Sequence, residues 1–254
     1  MEVKLIQVTQ DPIDVMWTAA RTCYSEKSPI EIWNDKWGAL TDGYDHSEDY
    51  TKQCTEKHWK LVKQVLDSGH LSIAENVVFS FAIEGISRTL LAQITRHRAG
   101  IVFAVRSQRY VNYKDKSLGF VTPITIKRKE EALQLYDEFI TYCKQQYDKL
   151  VEMGIPAEDA RYVLPNASCT GMTMTINLRE LMHVSNLRLC SRAQFEIRQL
   201  FQAIKEEVNK YEPRIADLLV PTCEVNGFCT EHQSCSKKPL LKEILNTYSL
   251  NNLA

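Results

Sequence analysis

RHRAGIVFAVRSQRY, residues Arg96 to Tyr110, holds four arginines, one histidine, one serine and no acid. The acid-free zone is wider, from Gly85 to Lys114, and takes in Arg88. Clustered guanidiniums without carboxylates repel one another, so an anion is expected to neutralise them, and phosphate suits their fork of donors. A solvated basic face is the alternative. Against it stands the middle of the run, where Ile101, Val102, Phe103, Ala104 and Val105 want burial. A run half core and half cation reads as a lined pocket.

Working outward, Gln93, Arg96 and His97 are spaced three and four apart, which would put them on one face near a helix C-terminus. Ser107 and Arg109, two apart, project to the same side of an extended segment and, with the N–H groups between them, form a phosphate seat. A surface polar serine is the alternative for Ser107.

The flanking elements follow from periodicity and caps. Glu2 to Val8 alternates as a strand, Met16 to Tyr24 reads as helix, and Ser25 to Asp45, with Pro29, Gly38 and Gly43, reads as loop. Ser47 is the expected N-cap of a helix running to Asp67, followed by a connector through His70, Leu71 and Ser72. Asn76 to Ile83 is the clearest strand. Ser87 is expected to cap a helix ending near Gly100, after which Ile101 to Tyr113 is extended or loop. A long amphipathic helix is expected over Lys127 to Met153, a helix start at Pro156, and a strand over Met172 to Ile176. Asn177 to Glu180 resembles a capping box, and a final long helix is expected over Ala193 to Leu219. No repeat or linker divides the chain, which reads as a single domain over residues 1–254.

A second polar cluster lies in this C-terminal third: Asn177, Arg179, His183, Asn186, Arg188 and Arg192. Glu196, one helical turn after Arg192, is expected to pair with it. Arg188, between two leucines and without an acid one turn earlier, is directed at a ligand or a subunit interface.

Net charge is −1, so the arginine run is local and no bulk nucleic-acid coat is implied. The N-terminus lacks a signal-peptide layout and no apolar run reaches membrane-spanning length, so no membrane is expected. Eight cysteines without a signal fit reduced thiols and a cytoplasmic protein. Cys223, Cys229, His232 and Cys235 could in principle hold zinc, but the spacing lacks a Cys-x-x-Cys knuckle and no metal is assigned. No Gly-x-Gly occurs, and Tyr44 stands where a P-loop needs lysine, so a bound nucleotide must be held by arginines.

Arg96-His97-Arg98, eight residues, then Ser107-Gln108-Arg109-Tyr110 resembles the signature of the flavin-dependent thymidylate synthases. AARTCYS (Ala19 to Ser25), GHLSIAEN (Gly69 to Asn76), FSFAIEGISR (Phe79 to Arg88), ARYVLP (Ala160 to Pro165) and NLRELMHVSNLRLCSRAQFEIR (Asn177 to Arg198) follow in family order. The resemblance implies reductive methylation of dUMP to dTMP, with methylenetetrahydrofolate as one-carbon donor, FAD as hydride carrier and NADPH as reductant. It also implies an α/β fold of α+β type: one mixed domain with a central antiparallel-rich sheet flanked by long helices. Such domains form a homotetramer with active sites at subunit junctions.

Site roles carry over the same way. Arg96, His97 and Arg98 match the flavin-binding triplet, with His70, Ser72, Asn177, Arg179 and His183 at other cofactor positions. Gln93, Ser107, Gln108 and Arg109 match the dUMP cradle, and Arg161 and Arg192 match further substrate positions. Arg188 matches the arginine set against the pyrimidine, where it can stabilise negative charge on the ring. Arg188 and Ser107 form the catalytic set, Ser107 as a positioning group, because no His/Asp pair would activate it. No cysteine is assigned to catalysis, since the flavin supplies the hydride. Two other readings compete: an RNA-binding module using Arg88 to Arg109 with Phe103 and Tyr110 as stacking platforms, and a flavin reductase without methyl transfer.

Overall fold

Strand alternation sets the frame. In the computed structural model, which describes residues 1–36, 48–114 and 116–251, four strands form one antiparallel sheet. They are β1 (Glu2–Val8), β2 (Val78–Ser87), β3 (Ile101–Val105) and β4 (Cys169–Asn177), in the order β1-β2-β4-β3. The helices are α1 (Pro12–Thr22), α2 (Pro29–Asn34), α3 (Glu48–Asp67), α4 (Arg88–Ile94), α5 (Ile124–Lys127), α6 (Glu130–Glu152), α7 (Ala157–Ala160), α8 (Leu178–Arg188), α9 (Phe195–Tyr211), α10 (Pro213–Ala216), α11 (Thr222–Asn226) and α12 (Leu241–Asn251). A 3-10 turn, Leu71–Asn76, leads into β2.

The sheet has two unlike faces. On one, register aligns Leu5, Phe81, Met174 and Phe103 across the strands. This face packs on Met16 and Val62 and on Leu200, Phe201 and Ile204 of α9, all buried in the main core. On the other face Ala82, Thr173 and Ala104 align, flanked by Ser80 and Thr175. This face is small and polar, and Val102 on it is 65% exposed. The middle of the arginine run is therefore half core and half surface: Ile101 is buried, Val102 is not. A smaller cluster around Tyr113, Leu118, Tyr147 and Ala160 ties α6 and α7 to the segment after β3.

Several elements depart from the sequence expectation. The segment taken as loop contains α2, because Pro29 sits at the first helical position, where its missing N–H costs nothing, and Ser28 and Glu31 form a capping box. Ser47, Gly38, Gly43 and Tyr44 lie outside the described residues. Ser87 does cap α4, its Oγ accepting from Leu90 N at 3.0 Å. The helix stops at Ile94, however, where Thr95 Oγ1 donates back to Leu91 O. Arg96 and His97 thus lie beyond the helix and share no helical face with Gln93. The last long helix breaks at Glu212, which takes an extended conformation before Pro213. Lys129 likewise separates α5 from α6.

Among the described residues no helix is long and apolar enough to cross a membrane.

Candidate active site

Two clusters form, one at each end of β3, whose four residue steps span about 14 Å. At the entry end, Gly100 has φ 64 and its carbonyl accepts from Asn177 N at 2.8 Å. A Cβ there would lie 2.3 Å from Asn177 Nδ2, so only glycine fits. Asn177 Oδ1 in turn caps α8 by accepting from Glu180 N at 2.9 Å. The start of β3 and the start of α8 are thereby locked side by side. Around them opens a cavity of about 680 Å³, lined by Leu71, Gly100, Asn177, Arg179, His183 and Asn186 among others. Of the predicted cofactor residues, His70 and Ser72 flank Leu71, and Arg96 and Arg98 are exposed beside His97.

His97 is the hinge of this cluster. Its Nε2 accepts from Arg188 Nε at 3.2 Å and from Arg188 Nη2 at 3.0 Å. The His183 ring meets it edge-on with centroids 6.4 Å apart, and Glu180 Oε1 lies 3.6 Å from His97 Nδ1. Burial, then the Arg188 charge and His183, hold His97 below the ordinary histidine range. It is neutral near pH 7. A guanidinium only donates, so Nε2 is the acceptor and the proton sits on Nδ1, facing Glu180. Burial raises the Glu180 carboxyl above its ordinary range.

His97, Glu180 and His183 bring ligand atoms within 4.8 Å of one another. A metal on His97 Nδ1 would force the proton onto Nε2, against the Arg188 donors, so the group suits an organic ligand better than a cation. Cys223, Cys229, His232 and Cys235 make no such group. The three cysteines line an adjoining cavity of about 450 Å³, which shares Asn186 with the one at the entry end, together with Arg192, which donates to Gln233 Oε1. Arg192 joins neither cluster.

At the exit end of β3, Ser107 Oγ accepts from Arg109 N at 3.1 Å, and Gln108 turns inward, 7% exposed. Arg88 Nη2 donates to Gln108 Oε1 at 2.8 Å. Arg161 Nε donates to Glu158 O at 2.9 Å, and the Glu158 carboxylate pairs with Arg109. Gln108 Nε2 and Tyr113 Oη are buried without a hydrogen-bond partner. A buried donor left unmade costs about 1–3 kcal/mol, which a ligand oxygen would recover. Gln93 is half-buried in the last turn of α4.

The acid-free run is not acid-free in space. Arg106 pairs with Glu84 and Arg109 with Glu158, and outside the run Arg179 pairs with Glu75, exposed pairs that contribute about 0–1 kcal/mol each. The expected Glu196–Arg192 pair is absent. Glu196 is 2% exposed and accepts from Ser87 N at 2.7 Å and from Ser87 Oγ at 2.5 Å, tying α9 to the β2–α4 junction. Arg88 and Arg188 have no carboxylate partner among the described residues; each donates to a neutral side chain, one at each end of β3.

Sequence reasoning counted Arg88 in the acid-free zone without giving it a role. It read Glu180 only as a cap, and it named Asn186 without a task, although Asn186 Oδ1 is a buried acceptor without a partner.

Residues 4–214 match the family described as "Thymidylate synthase complementing protein". The chain is 34% identical to the flavin-dependent thymidylate synthase of Geobacter sulfurreducens, covering 98% of this chain and all of the relative. It is 36% identical to that of Pyrococcus horikoshii, over 92% of this chain and 91% of the relative, and 34% identical to that of Haloarcula marismortui, over 84% and 93%. None of these relatives supports the RNA-binding or the reductase reading, and the arginines do not form one continuous face.

Proposed function

The chain belongs to the flavin-dependent thymidylate synthase family, and from that premise we propose that it converts dUMP to dTMP with the two ends of β3 as the two halves of the site. The carrying observation is that Arg188 and Arg88 have no carboxylate partner among the described residues and donate instead to His97 and to Gln108, whose Nε2 is buried without a hydrogen-bond partner.

The entry end suits FAD. Its cavity is lined by Ala99 and Gly100, by the His183 imidazole and by Asn177, Arg179 and Asn186. His70, Ser72, Arg96, His97, Arg98, Asn177, Arg179 and His183 would hold it. When bound, the flavin supplies the hydride, NADPH being the reductant and methylenetetrahydrofolate the one-carbon donor.

The exit end suits the nucleotide. Ser107, Arg109 and the backbone between them seat the phosphate, Gln108 Nε2 and Tyr113 Oη donate to its oxygens, and Arg88 holds Gln108 in place. Arg161 keeps the Glu158 backbone and carboxylate in register with Arg109. Arg188 stabilises negative charge on the uracil ring, because a guanidinium fixed in advance needs no reorganisation when that charge develops.

Arg188 lies at the opposite end of β3 from Ser107, so one chain cannot close both halves on a single nucleotide. This favours a homotetramer in which the entry end of one subunit meets the exit end of another. The uncovered sheet face, with Val102 and Ala104 exposed, offers contact area for that assembly.

The test supplies dUMP, methylenetetrahydrofolate, FAD and NADPH and follows dTMP by chromatography. Formation of dTMP that requires all four is the expected result. NADPH oxidation without dTMP would replace this reading with a reductase.

A further inference from the structure

We propose that Glu180 is a positioning residue that sets Arg188 through the His97 imidazole. The proposal rests on the reading of Arg188 given above. Asn177 caps α8 through the backbone N–H of Glu180, so the Glu180 carboxylate is not spent on the cap. Among the described residues that carboxylate accepts no hydrogen bond, and its one ion-pair neighbour is His97 Nδ1, at 3.6 Å. A partly buried carboxylate held against its hydration is costly, and its geometry gives it a use. It offers His97 Nδ1–H an acceptor a few tenths of an ångström beyond hydrogen-bond length. Holding the proton there leaves Nε2 free to accept both Arg188 donors. With the other tautomer, or with a protonated ring, Nε2 would carry a hydrogen pointing into the guanidinium, and Arg188 would be released.

Burial, then Arg188 and His183 from α8, oppose protonation of His97, and the carboxylate within ion-pair range of its ring is that of Glu180, at 3.6 Å. Arg179, the next cation on α8, is taken by Glu75. Removing the Glu180 charge therefore lowers the pH at which His97 protonates and Arg188 leaves.

The variants E180Q and E180L separate the acceptor from the charge. In E180Q the amide oxygen still accepts from Nδ1, so kcat stays within about threefold of wild type. The acid limb of kcat/KM for dUMP moves to lower pH by about half to one unit. In E180L the acceptor is gone, and kcat falls about 10- to 100-fold. Long-range 1H–15N spectra of the apoprotein, with His97 assigned by H97N, carry the second readout. Wild type and E180Q are expected to show the proton on Nδ1, and E180L to populate Nε2–H. FAD affinity, by flavin fluorescence, stays within about threefold in both variants.

An unmoved acid limb in E180Q overturns the proposal, as does E180L retaining only the Nδ1 tautomer. Loss of FAD binding in E180Q also overturns it, by making Glu180 a cofactor ligand. If E180L does not fold, the E180Q acid limb decides alone. Failure of the wild type to make dTMP is a separate result, and it would refute the proposed reaction instead.

Discussion

If each site combines the entry end of one chain with the exit end of another, two dead variants should revive each other. Arg188→Ala removes the charge at the entry end, and Arg109→Ala removes the phosphate-seat charge at the exit end. Each loses a charge-assisted contact of about 3–4 kcal/mol in the transition state, so each alone should keep under about 1% of wild-type kcat/KM. Arg188 and Arg109 flank opposite ends of a strand about 14 Å long, so no movement of one side chain restores the lost contact within a chain. In hybrid tetramers formed by co-expressing the two variants in equal amounts, half of the entry ends and half of the exit ends are intact. Random assembly gives about a quarter of the sites both intact halves, so dTMP formation should return to about 25% of wild type. The assay is dTMP production by affinity-purified hybrids carrying two different tags, beside each parent variant. Hybrids no more active than the parents would mean that both halves come from one chain. The division of the site at β3 would then be wrong.

Gly100→Ala combines a left-handed backbone penalty with a clash against Asn177 Nδ2 at 2.3 Å, which displaces the α8 cap. About 2–3 kcal/mol is lost, or a Tm about 5–10 °C lower, with weaker FAD binding; calorimetry and flavin fluorescence check both. Glu196→Ala leaves Ser87 N and Oγ without their buried acceptor and should cost about 3 kcal/mol, read as a lower urea midpoint at unchanged m-value. Gln108→Ala should raise the KM for dUMP by about 10- to 100-fold while FAD affinity stays put, and an unchanged KM would remove Gln108 from the nucleotide seat. His97 has a folded-state pKa below its unfolded value, so the stability it contributes is present above about pH 6.5 and is lost as pH falls through the folded value. His97→Asn should therefore flatten the loss of Tm between about pH 6.5 and pH 5, and an equally steep loss would show that other groups carry it.

The parts of the fold that depend on near neighbours were legible in the sequence. Ser87 and Asn177 cap their helices as their side chains imply, and the strands at β1, β2 and β4 follow β-branched and alternating runs. The misses have two physical causes: near-neighbour signals that local periodicity does not carry, such as the Ser28–Glu31 capping box and the Thr95 stop of α4, and partners distant in sequence that override local pattern. Lys129 and Glu212 interrupt helices whose apolar spacing continues past them. The C-terminal helix α12 had no signal beyond its propensity. Glu196 was assigned to Arg192 one turn away, and instead bonds Ser87, 109 residues back. For the site, the residues were legible through motif resemblance, but their grouping was not.

That grouping corrects the argument from charge. An acid-free run suggested guanidiniums awaiting anions, yet Arg106 and Arg109 find carboxylates from residues 22 and 49 positions away. Counting acids along the chain thus overstates the unneutralised charge. What distinguishes Arg88 and Arg188 from Arg106 and Arg109 is the kind of partner they keep. An amide oxygen and an imidazole nitrogen orient a guanidinium without cancelling it, so both arginines stay fixed and fully charged. An ion pair would have to break before the arginine could engage substrate, at a cost that grows as the site dries. A neutral acceptor demands no such exchange. The neutral partners at both ends of β3 therefore leave Arg88 and Arg188, unlike Arg106 and Arg109, prepared for an anionic substrate.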